Sequence, residues 1–405
     1  MFSAALSVLA FGSVALSAPS SAANVSKVPT SIKYNVLSQH KHFFQPTNST
    51  KSKRSCSDYN TAALGTANAM QSMYYNSGGY YTGGSGGGSA WTDVNGVEDL
   101  MNFELFNTAS YGTTYDGVPE AVFTHYDTQF TDSGAYDDLL WAAIASWKQC
   151  DYLDWRGLST TECSDRAIKY YNIVVDAWDS TCGGGVWWNS EKTYKNAITN
   201  ELFLYSSAAS YLRTQESTYL TNAQSAWSWL DGNPMQNSEG LWNDGLTSSC
   251  TNNGQTTWTY NQIVIASGLS ALYAATGSTN TALLTAAQVS IDATFTYLTS
   301  GGILKETCDS STGATSCDAD QQLFKGLFMK HLQYYLDTAD SSTQNSKYTG
   351  NINAQASGVV HYATGSGYDV GSVWYAANAG GSIFSPKTQA SGLEALNCAA
   401  KYTSC

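Results

Sequence analysis

Helical periodicity is the feature of this sequence that most limits the folds open to it. From residue 57 onward, apolar residues recur at helical spacing in about twelve segments, which Gly-, Ser- and Asn-rich stretches separate. Strand signals are short and weak, and GGVWW at 184–188 predicts only an extended loop or a piece of a hairpin. The candidate helices cover residues 57–76, 91–106, 137–150, 162–178, 194–213, 217–231, 257–276, 280–299, 319–338, 341–356, 368–378 and 388–400.

These helices come in pairs of different character. Segment 257–277 is apolar on most sides yet opens with Tyr, Asn and Gln, whereas 221–232 has the one-sided pattern of an outer helix. Six such pairs can close into an all-α (α/α)6 barrel, in which the polar ends of buried inner helices line a cleft. No repeat motif of roughly 33–45 residues indicates an open solenoid. With no composition break after residue 56, one barrel domain over residues 55–405 is expected.

The composition limits the partners of this chain. Charged residues make up only 13% of it, and the formal net charge is −13. Nucleic acids and anionic membranes need a basic face, so neither is expected as a partner. The 27 Tyr and 12 Trp suit a neutral, hydroxyl-rich ligand, because sugars stack on aromatic rings. With five His and no C-x-x-C spacing, neither a metal site nor a cofactor is expected.

Both ends of the chain predict secretion. Residues 1–22 are apolar and end in small residues, as signal peptides do. Residues 23–54 are polar and end in the dibasic pair Lys53-Arg54, which predicts a pro-segment; a disordered linker is the alternative. The C-terminus carries no hydrophobic tail, so no membrane anchor is expected. We therefore expect a secreted, monomeric protein of the extracellular space or the cell wall.

All nine cysteines follow Arg54, and secretion makes disulfides their expected state. Cys308 and Cys317 flank a short polar loop and are the first predicted pair, and Cys150 with Cys163 is a plausible second. The other cysteines cannot be assigned from the sequence. Because nine is odd, at least one thiol stays free unless it pairs between chains.

Asp137 and Asp138 stand side by side where the helical segment 137–150 begins. Acids in a first helical turn often serve only as caps, because they accept free backbone N–H groups. Neighbouring Cβ atoms on a helix are roughly 5–6 Å apart, however, and a retaining glycosidase needs two carboxyls about 5–5.5 Å apart. Two close carboxylates also repel, which leaves one protonated beside an ionised neighbour. The pair is therefore a candidate for catalysis as well as for capping.

Five ordered motifs resemble those of glycoside hydrolase family 76. They are YDDLLWAAIASW at 136–147, CGGGVWWN at 182–189, KNAITNELFLYSSAASYL at 195–212, WTYNQIVIASGLSALY at 258–273 and CDADQQLFKGLFMKHLQYYL at 317–336. The resemblance runs from about residue 58 to residue 400. The family contains endo-α-1,6-mannanases and their fungal cell-wall relatives, and its fold is an (α/α)6 barrel. Residues 369–396 match its pattern only loosely.

The resemblance implies that Asp137 is the nucleophile and Asp138 the general acid/base of a retaining mechanism. It also implies a set of substrate-binding residues: Trp187, Trp188, Asn196, Asn200, Tyr260, Asn261, Gln262, Asp318 and Asp320. Each has a structural alternative, since Trp packs in cores and Asn and Asp cap helices. Glu306 and His331 are expected to be structural, and Asp176 and Asp179 to lie on the surface.

The sequence therefore favours a secreted, retaining endo-α-1,6-mannanase whose partner is α-1,6-mannan or a mannan-bearing glycan. A cell-wall transglycosylase that links mannan-bearing proteins to glucan is one alternative. A non-catalytic mannan-binding wall protein is another. A glycosidase of a different (α/α)6 family acting on uronates is disfavoured, because such sites recruit Arg or Lys and the chain has only 19 basic residues.

Overall fold

The computed structural model describes residues 24–46, 57–106, 115–313 and 317–404. Over these ranges the chain forms thirteen α-helices and two short β-hairpins. The helices are α1 Lys41–Phe44, α2 Ser57–Tyr74, α3 Ala90–Phe106, α4 Val118–Asp132, α5 Tyr136–Trp155, α6 Thr161–Val175, α7 Ala197–Thr214, α8 Ser217–Gly232, α9 Thr259–Ala275, α10 Thr281–Tyr297, α11 Phe324–Ala339, α12 Ser342–Gly358 and α13 Pro386–Tyr402. The strands are β1 Tyr75–Asn76, β2 Tyr80–Tyr81, β3 Thr299–Ser300 and β4 Ile303–Leu304, and each hairpin is antiparallel.

Six helices form a closed inner ring. Helices α3, α5, α7, α9, α11 and α13 are buried along nearly their whole length, and each contacts the next in this order. Contact between α13 and α3 closes the ring. The even-numbered helices α2 to α12 pack outside it, and each buries mainly one face, as an amphipathic outer helix must. The predicted (α/α)6 barrel is confirmed.

One predicted helix is absent, and one helix was not predicted. Residues 368–378 do not form a helix; they form turns and single bridges, such as Thr364 with Val370. Val370, Val373 and Trp374 mimic helical spacing, but all three are buried in an irregular segment that packs on α13. Conversely, α4 was missed. The extended interpretation of GGVWW is confirmed, because Val186 pairs with Trp178 in an isolated antiparallel bridge.

Residues 24–46 pack against the barrel. Phe43 and Phe44 are buried, and the Arg213 guanidinium lies 3.8 Å from the centre of the Phe44 ring. The Tyr34 hydroxyl donates to Asp151 Oδ1 at 2.9 Å, beside the buried ion pair of Asp151 with Arg213. These contacts lie near the C-terminal end of α5, away from Asp137 and Asp138. Residues 24–46 are therefore ordered on the barrel; a pro-segment cleaved after Arg54 remains a prediction, and residues 1–23 and 47–56 lie outside the described ranges.

Three disulfides join described cysteines. Cys308–Cys317 and Cys150–Cys163 confirm the two predicted pairs. Cys182–Cys250, which the sequence could not assign, closes 68 residues of chain. Among the described cysteines, Cys398 is buried and has a free thiol. Cys56 and Cys405 fall outside the described residues. None of the helices in the described ranges is both long and apolar enough to span a bilayer.

Candidate active site

The inner helices share one direction, because each pair of consecutive inner helices is joined through an outer helix that returns the chain. Their N-terminal ends, with the loops before them, therefore meet at one end of the barrel. Helix N-termini present free N–H groups and a partial positive charge, which favour carboxylates and other oxygen-rich groups. The predicted catalytic residues lie at this end.

Asp137 and Asp138 occupy the first turn of α5, and their carboxyls have different surroundings. Asp137 Oδ2 accepts a hydrogen bond from Trp188 Nε1 at 3.0 Å, and its Oδ1 accepts the backbone N–H of Asp138 at 3.1 Å. Within the described part of the chain, no group donates to the Asp138 carboxyl. Both side chains remain partly accessible to solvent. The two hydrogen bonds therefore stabilise the ionised form of Asp137. The Asp138 carboxyl receives no such stabilisation from the described residues.

The electrostatics separate the two acids further. Burial raises the pKa of Asp137 to about 6, although the hydrogen bonds from Trp188 and from the Asp138 backbone act in the opposite direction. Burial, followed by the charges of Asp137 and Asp320, raises the pKa of Asp138 well above its usual range. As pH rises, Asp137 therefore ionises first while Asp138 keeps its proton. A carboxylate beside a carboxylic acid is the combination that a retaining glycosidase uses.

Glycines shape the loop that carries Trp188. Gly184 and Gly185 have φ of 141° and 87°, which disfavour any residue with a Cβ. A Cβ on Gly185 would also lie only 2.6 Å from the Trp229 ring. Beyond the glycines the chain is extended, and the carbonyl of Trp188 accepts the backbone N–H of Tyr136 at 3.0 Å. The GGG sequence therefore brings the indole of Trp188 to the start of α5.

The same side-chain hydrogen bond to the backbone fixes the segments before four of the inner helices. In four inner helices the fourth residue is polar and accepts the backbone N–H of a residue in the preceding loop, at 2.7–2.8 Å. Asn200 and Gln262 also donate to the carbonyl of the same residue, at 3.0 and 2.9 Å. The residues and their loop partners are Asp93 with Tyr81, Asn200 with Val186, Gln262 with Trp242 and Gln389 with Val370. These clamps set the loop positions from which side chains reach the site.

One side of the site is formed by aromatic rings and Asp244. Trp188 is 37% exposed, and its ring centre lies 5.5 Å from that of Tyr194. The Tyr194 hydroxyl donates to Asp244 Oδ2 at 2.9 Å. Tyr260 stacks on Phe324 with 3.9 Å between ring centres and 8° between planes. Partly open, edge-fixed rings of this kind suit the C–H faces of a sugar.

The other side is formed by Asp320, Trp91 and Lys387. Asp320 accepts a hydrogen bond from Trp91 Nε1 at 3.0 Å, and Trp91 packs against Trp141 with 6.1 Å between ring centres. Burial lowers the pKa of Lys387, and the charge of Asp320 opposes that effect. Because Asp320 also acts on both catalytic candidates, the two sides share one electrostatic environment. We use the word cleft for the region that these contacts and charges define; its residues are Asp137, Asp138, Trp188, Tyr194, Asp244, Tyr260, Asp320, Trp91 and Lys387.

Several predicted ligands have structural partners instead. Asn196 caps α7 by accepting the N–H of Thr199 at 3.3 Å. Asn200 and Gln262 are the loop clamps described above, and both are fully buried. Asp318 Oδ1 accepts the backbone N–H groups of the two turn residues Asp320 and Gln321, each at 3.0 Å. For these four residues the structure shows a structural contact, and a role in substrate binding stays a prediction.

Trp187 and Asp179 also have structural partners, in the loop between α6 and α7. The indole N–H of Trp187 donates to Asp179 Oδ2 at 2.7 Å, and Lys195 Nζ donates to Asp179 Oδ1 at 2.8 Å. Asp179 lies at the surface with a partly exposed side chain, as expected, and its carboxyl also holds this loop together. The Lys195 ammonium contributes by donating to the carbonyls of Thr181 and Gly184 as well.

Asn261, Glu306 and His331 are buried. Neither amide atom of Asn261 has a partner among the described residues. Glu306 accepts from the hydroxyl of Thr259 at the start of α9, and His331 Nδ1 lies 2.7 Å from Ser267 Oγ. The structural roles expected for Glu306 and His331 agree with these contacts.

Trp91, Tyr194, Asp244 and Lys387 were missed as cleft residues. The signal that could have found them is position: each lies in the first turn of an inner helix or in the loop just before one. Across the described ranges, no three His, Cys, Asp or Glu side chains are grouped so that they could hold a metal ion.

Comparisons with known proteins agree with this geometry. The sequence model of glycosyl hydrolase family 76 matches residues 108–403. Mannan endo-1,6-alpha-mannosidase DFG5 of Saccharomyces cerevisiae is 30% identical over 172 residues, which are 40% of this chain and 37% of that protein. The matched regions span between 37% and 57% of the lengths of the first curated relatives.

Solved structures share the fold. The GH76A alpha-1,6-mannanase of Salegentibacter sp. HEL1_6 superposes with a TM-score of 0.71 at 19% identity, over 85% of this chain and 99% of that one. Dfg5 of Chaetomium thermophilum, solved in complex with glucosamine, gives a TM-score of 0.70 at 18% identity over 85% and 90%. Since the family match covers most of the chain and the neighbours share its barrel, the chain belongs to glycosyl hydrolase family 76.

Proposed function

We propose that this protein is a retaining endo-α-1,6-mannanase that cleaves α-1,6-mannan through a covalent glycosyl-enzyme intermediate. The proposal rests on one observation: two adjacent acids lie in environments that favour opposite protonation states. Trp188 and a backbone N–H stabilise the charge of Asp137, whereas burial and neighbouring carboxylates keep the proton on Asp138. If the two acids only capped helix α5, their protonation states would not need to differ.

In the first step, a carboxylate oxygen of Asp137 attacks the anomeric carbon of a mannose residue. The bond from that carbon to the glycosidic oxygen breaks, and Asp138 gives its proton to the departing oxygen. The products of this step are a mannosyl ester on Asp137 and a shortened sugar chain. Asp138 is then a carboxylate beside a neutral ester, so the repulsion from Asp137 that favoured its proton is gone.

In the second step, Asp138 removes a proton from an acceptor hydroxyl, whose oxygen attacks the anomeric carbon and expels Asp137 as a carboxylate. Two inversions at one carbon leave the configuration unchanged. Water as acceptor gives hydrolysis. A sugar hydroxyl as acceptor gives a longer chain, which is the transglycosylation considered from the sequence.

The substrate class rests on the names of relatives and on the cleft. Seven fungal relatives are named as mannan endo-1,6-alpha-mannosidases or as proteins assigned that activity. The Salegentibacter mannanase has been solved with alpha-1,6-mannotetrose in an inactive variant that lacks two consecutive aspartates. In this chain, aromatic rings and hydrogen-bonding acids line the cleft, which suits a neutral hexose polymer. Secretion is proposed from the N-terminal sequence and is consistent with three disulfides.

The test compares Asp137→Asn and Asp138→Asn on linear α-1,6-mannan oligosaccharides, with products separated by mass. Asp137→Asn should lose turnover by a factor of about 10⁴ or more, as expected when a nucleophile is removed, and Asp138→Asn by a factor of about 10²–10⁴, as expected for a general acid. Asp132→Asn, which changes an exposed acid at the end of α4, is the matched control and should keep full activity. Full activity in either cleft variant would refute the site.

Small-molecule rescue separates the two roles. With an aryl α-mannooligosaccharide, whose leaving group needs no proton, azide should rescue Asp138→Gly and yield an α-mannosyl azide. Rescue of Asp137→Gly should yield the β-mannosyl azide, since azide then replaces the nucleophile and inverts once. The reverse pairing would exchange the roles. Wild-type products longer than the input would establish transfer.

A further inference from the structure

A second polar and aromatic pocket lies on the outside of the barrel. It has a volume of about 80 Å³ and is formed by α8, α9, α10 and the loop that follows α8. We call it the α8–α10 pocket; its lining residues are Trp227, Leu230, Asp231, Asn233, Gln236, Trp242, Ile265, Leu269 and Ala286. None of them lines the cleft.

The floor of this pocket is apolar and rigid. Leu230, Ile265 and Leu269 are almost completely buried in the core. Trp242 is only 4% exposed, and Gln262 holds both its backbone N–H and its carbonyl. A ring fixed in this way loses little conformational entropy when a ligand binds to it.

The rim of the pocket offers hydrogen-bonding groups that the protein leaves unused. Asn233 and Gln236 donate through their amide nitrogens to the carbonyls of Trp229 and Gly240, which leaves their amide oxygens as acceptors. The Asp231 carboxylate, at the exposed end of α8, forms no ion pair and accepts no hydrogen bond from the described residues.

We propose that the α8–α10 pocket is a secondary binding site for one neutral hexose residue of the mannan chain. Three unused acceptors match hydroxyl donors, and the half-buried Trp227 ring with the apolar floor matches the C–H face of a pyranose. A carboxylate at the rim, in a chain of net charge −13, disfavours an anionic ligand. The volume of about 80 Å³ is well below the roughly 300–1,000 Å³ of pockets that enclose a ligand, so only part of one ring enters it from the open side, and an enclosed oligosaccharide is excluded.

The pocket and the cleft share one loop, so mannan bound at the pocket would lie near the cleft. Asp244, which accepts from Tyr194 at the cleft, lies two residues beyond Trp242 on the same loop. One polymer can therefore occupy both sites, and a second contact raises the local concentration of substrate at the cleft. Comparison of the polymer with a trisaccharide tests whether one chain occupies both sites. The choice of mannan as the ligand rests on the proposed function.

The test uses Trp227→Leu and the double variant Asp231→Ala/Gln236→Ala in the full-length protein. Asp165→Asn is the control, because Asp165 is an exposed acid on the outer helix α6. Melting temperatures identify any variant that fails to fold. Two properties are measured: retardation in native gels that contain linear α-1,6-mannan, and kcat/KM on the polymer and on α-1,6-mannotriose.

The pocket variants should be retarded less than wild type, and their kcat/KM on the polymer should fall roughly threefold to tenfold, the loss expected from a removed stacking ring in Trp227→Leu and from removed ligand hydrogen bonds in the double variant. Their kcat/KM on the trisaccharide should equal that of wild type and of Asp165→Asn. Folded variants with wild-type retardation and wild-type polymer kinetics would overturn the inference. A wild type that mannan retards but that releases no product would instead overturn the proposed function, while lower retardation of the pocket variants would still support the secondary site.

Discussion

Replacing Trp188 by Phe should move the pH dependence of activity. The substitution keeps an aromatic ring but removes the N–H that donates to Asp137 Oδ2 at 3.0 Å. A hydrogen bond to a charged group stabilises that charge by about 1.5–3 kcal/mol, and solvent at the 37% exposed Trp188 reduces this to about 1 kcal/mol. Since 1.36 kcal/mol corresponds to one pH unit, the pKa of Asp137 should rise by about 0.5–1.

The sign of the effect follows from the role of Asp137. The nucleophile acts only when ionised, so activity falls as pH decreases through its pKa of about 6. In Trp188→Phe this acidic limb should lie about 0.5–1 pH unit higher. The basic limb, which reports the loss of the proton from Asp138, should move less. The assay is kcat/KM on mannotriose from pH 4 to pH 9, because kcat/KM reports the free enzyme.

The neighbouring residue supplies a matched control. Trp187→Phe removes an indole N–H that donates to Asp179 Oδ2 at 2.7 Å, in a loop that borders the site. Its acidic limb should coincide with that of wild type. An unshifted acidic limb in Trp188→Phe, or an equal shift in both variants, would refute the claim that Trp188 sets the ionisation of the nucleophile.

Three further predictions concern stability. Asn200→Ala leaves the buried N–H and carbonyl of Val186 without partners and should reduce the free energy of unfolding by about 2–4 kcal/mol in urea titrations. Cys182→Ser with Cys250→Ser opens a 68-residue loop that carries much of the cleft, so the melting temperature should fall, with a loss of up to about 4 kcal/mol. Removal of the chain up to Arg54 should also lower the melting temperature, since buried aromatic side chains leave the barrel with residues 24–46.

Asn200→Ala has a matched control, and each of the three predictions has an outcome that would contradict it. Asn280→Ala changes an exposed N-cap residue whose side chain makes no cap hydrogen bond, and it should leave urea unfolding unchanged. Equal stability of Asn200→Ala and wild type would argue against the clamp. Unchanged melting after loss of the Cys182–Cys250 bridge would count against its structural role. A chain from Ser55 onward that melts like the full chain would show that residues 24–46 contribute nothing to the barrel.

The barrel could be predicted because its signal is local and repeated. Inner helices such as α9 are apolar on nearly all sides, and outer helices such as α6 are amphipathic. The apolar pattern gave a wrong prediction where residues are buried without forming a helix. Residues 368–378 bury Val370 and Trp374 at helical spacing, but Gln389 accepts the backbone N–H of Val370 and the segment is irregular.

The adjacent acids could be found from the sequence, whereas the roles of the amides could not. Asn200 and Gln262 look like sugar ligands because amides bind hydroxyls, yet both bind the backbone of the preceding loop. No sequence spacing shows which partner an amide takes, since the loop reaches it only in the folded chain. Asp244 was missed for the same reason: it enters the cleft through the position of its loop and through Tyr194.

The measurement that tests the central claim most directly is the anomeric configuration of the first product. The full-length protein is mixed with reduced α-1,6-mannotetraose in an NMR tube, and anomeric signals are recorded before mutarotation mixes them. Double displacement at Asp137 predicts that the α anomer appears first and the β anomer only later. Early β anomer would mean that water attacks the sugar directly, and it would contradict the assignment of Asp137 as nucleophile and Asp138 as acid/base.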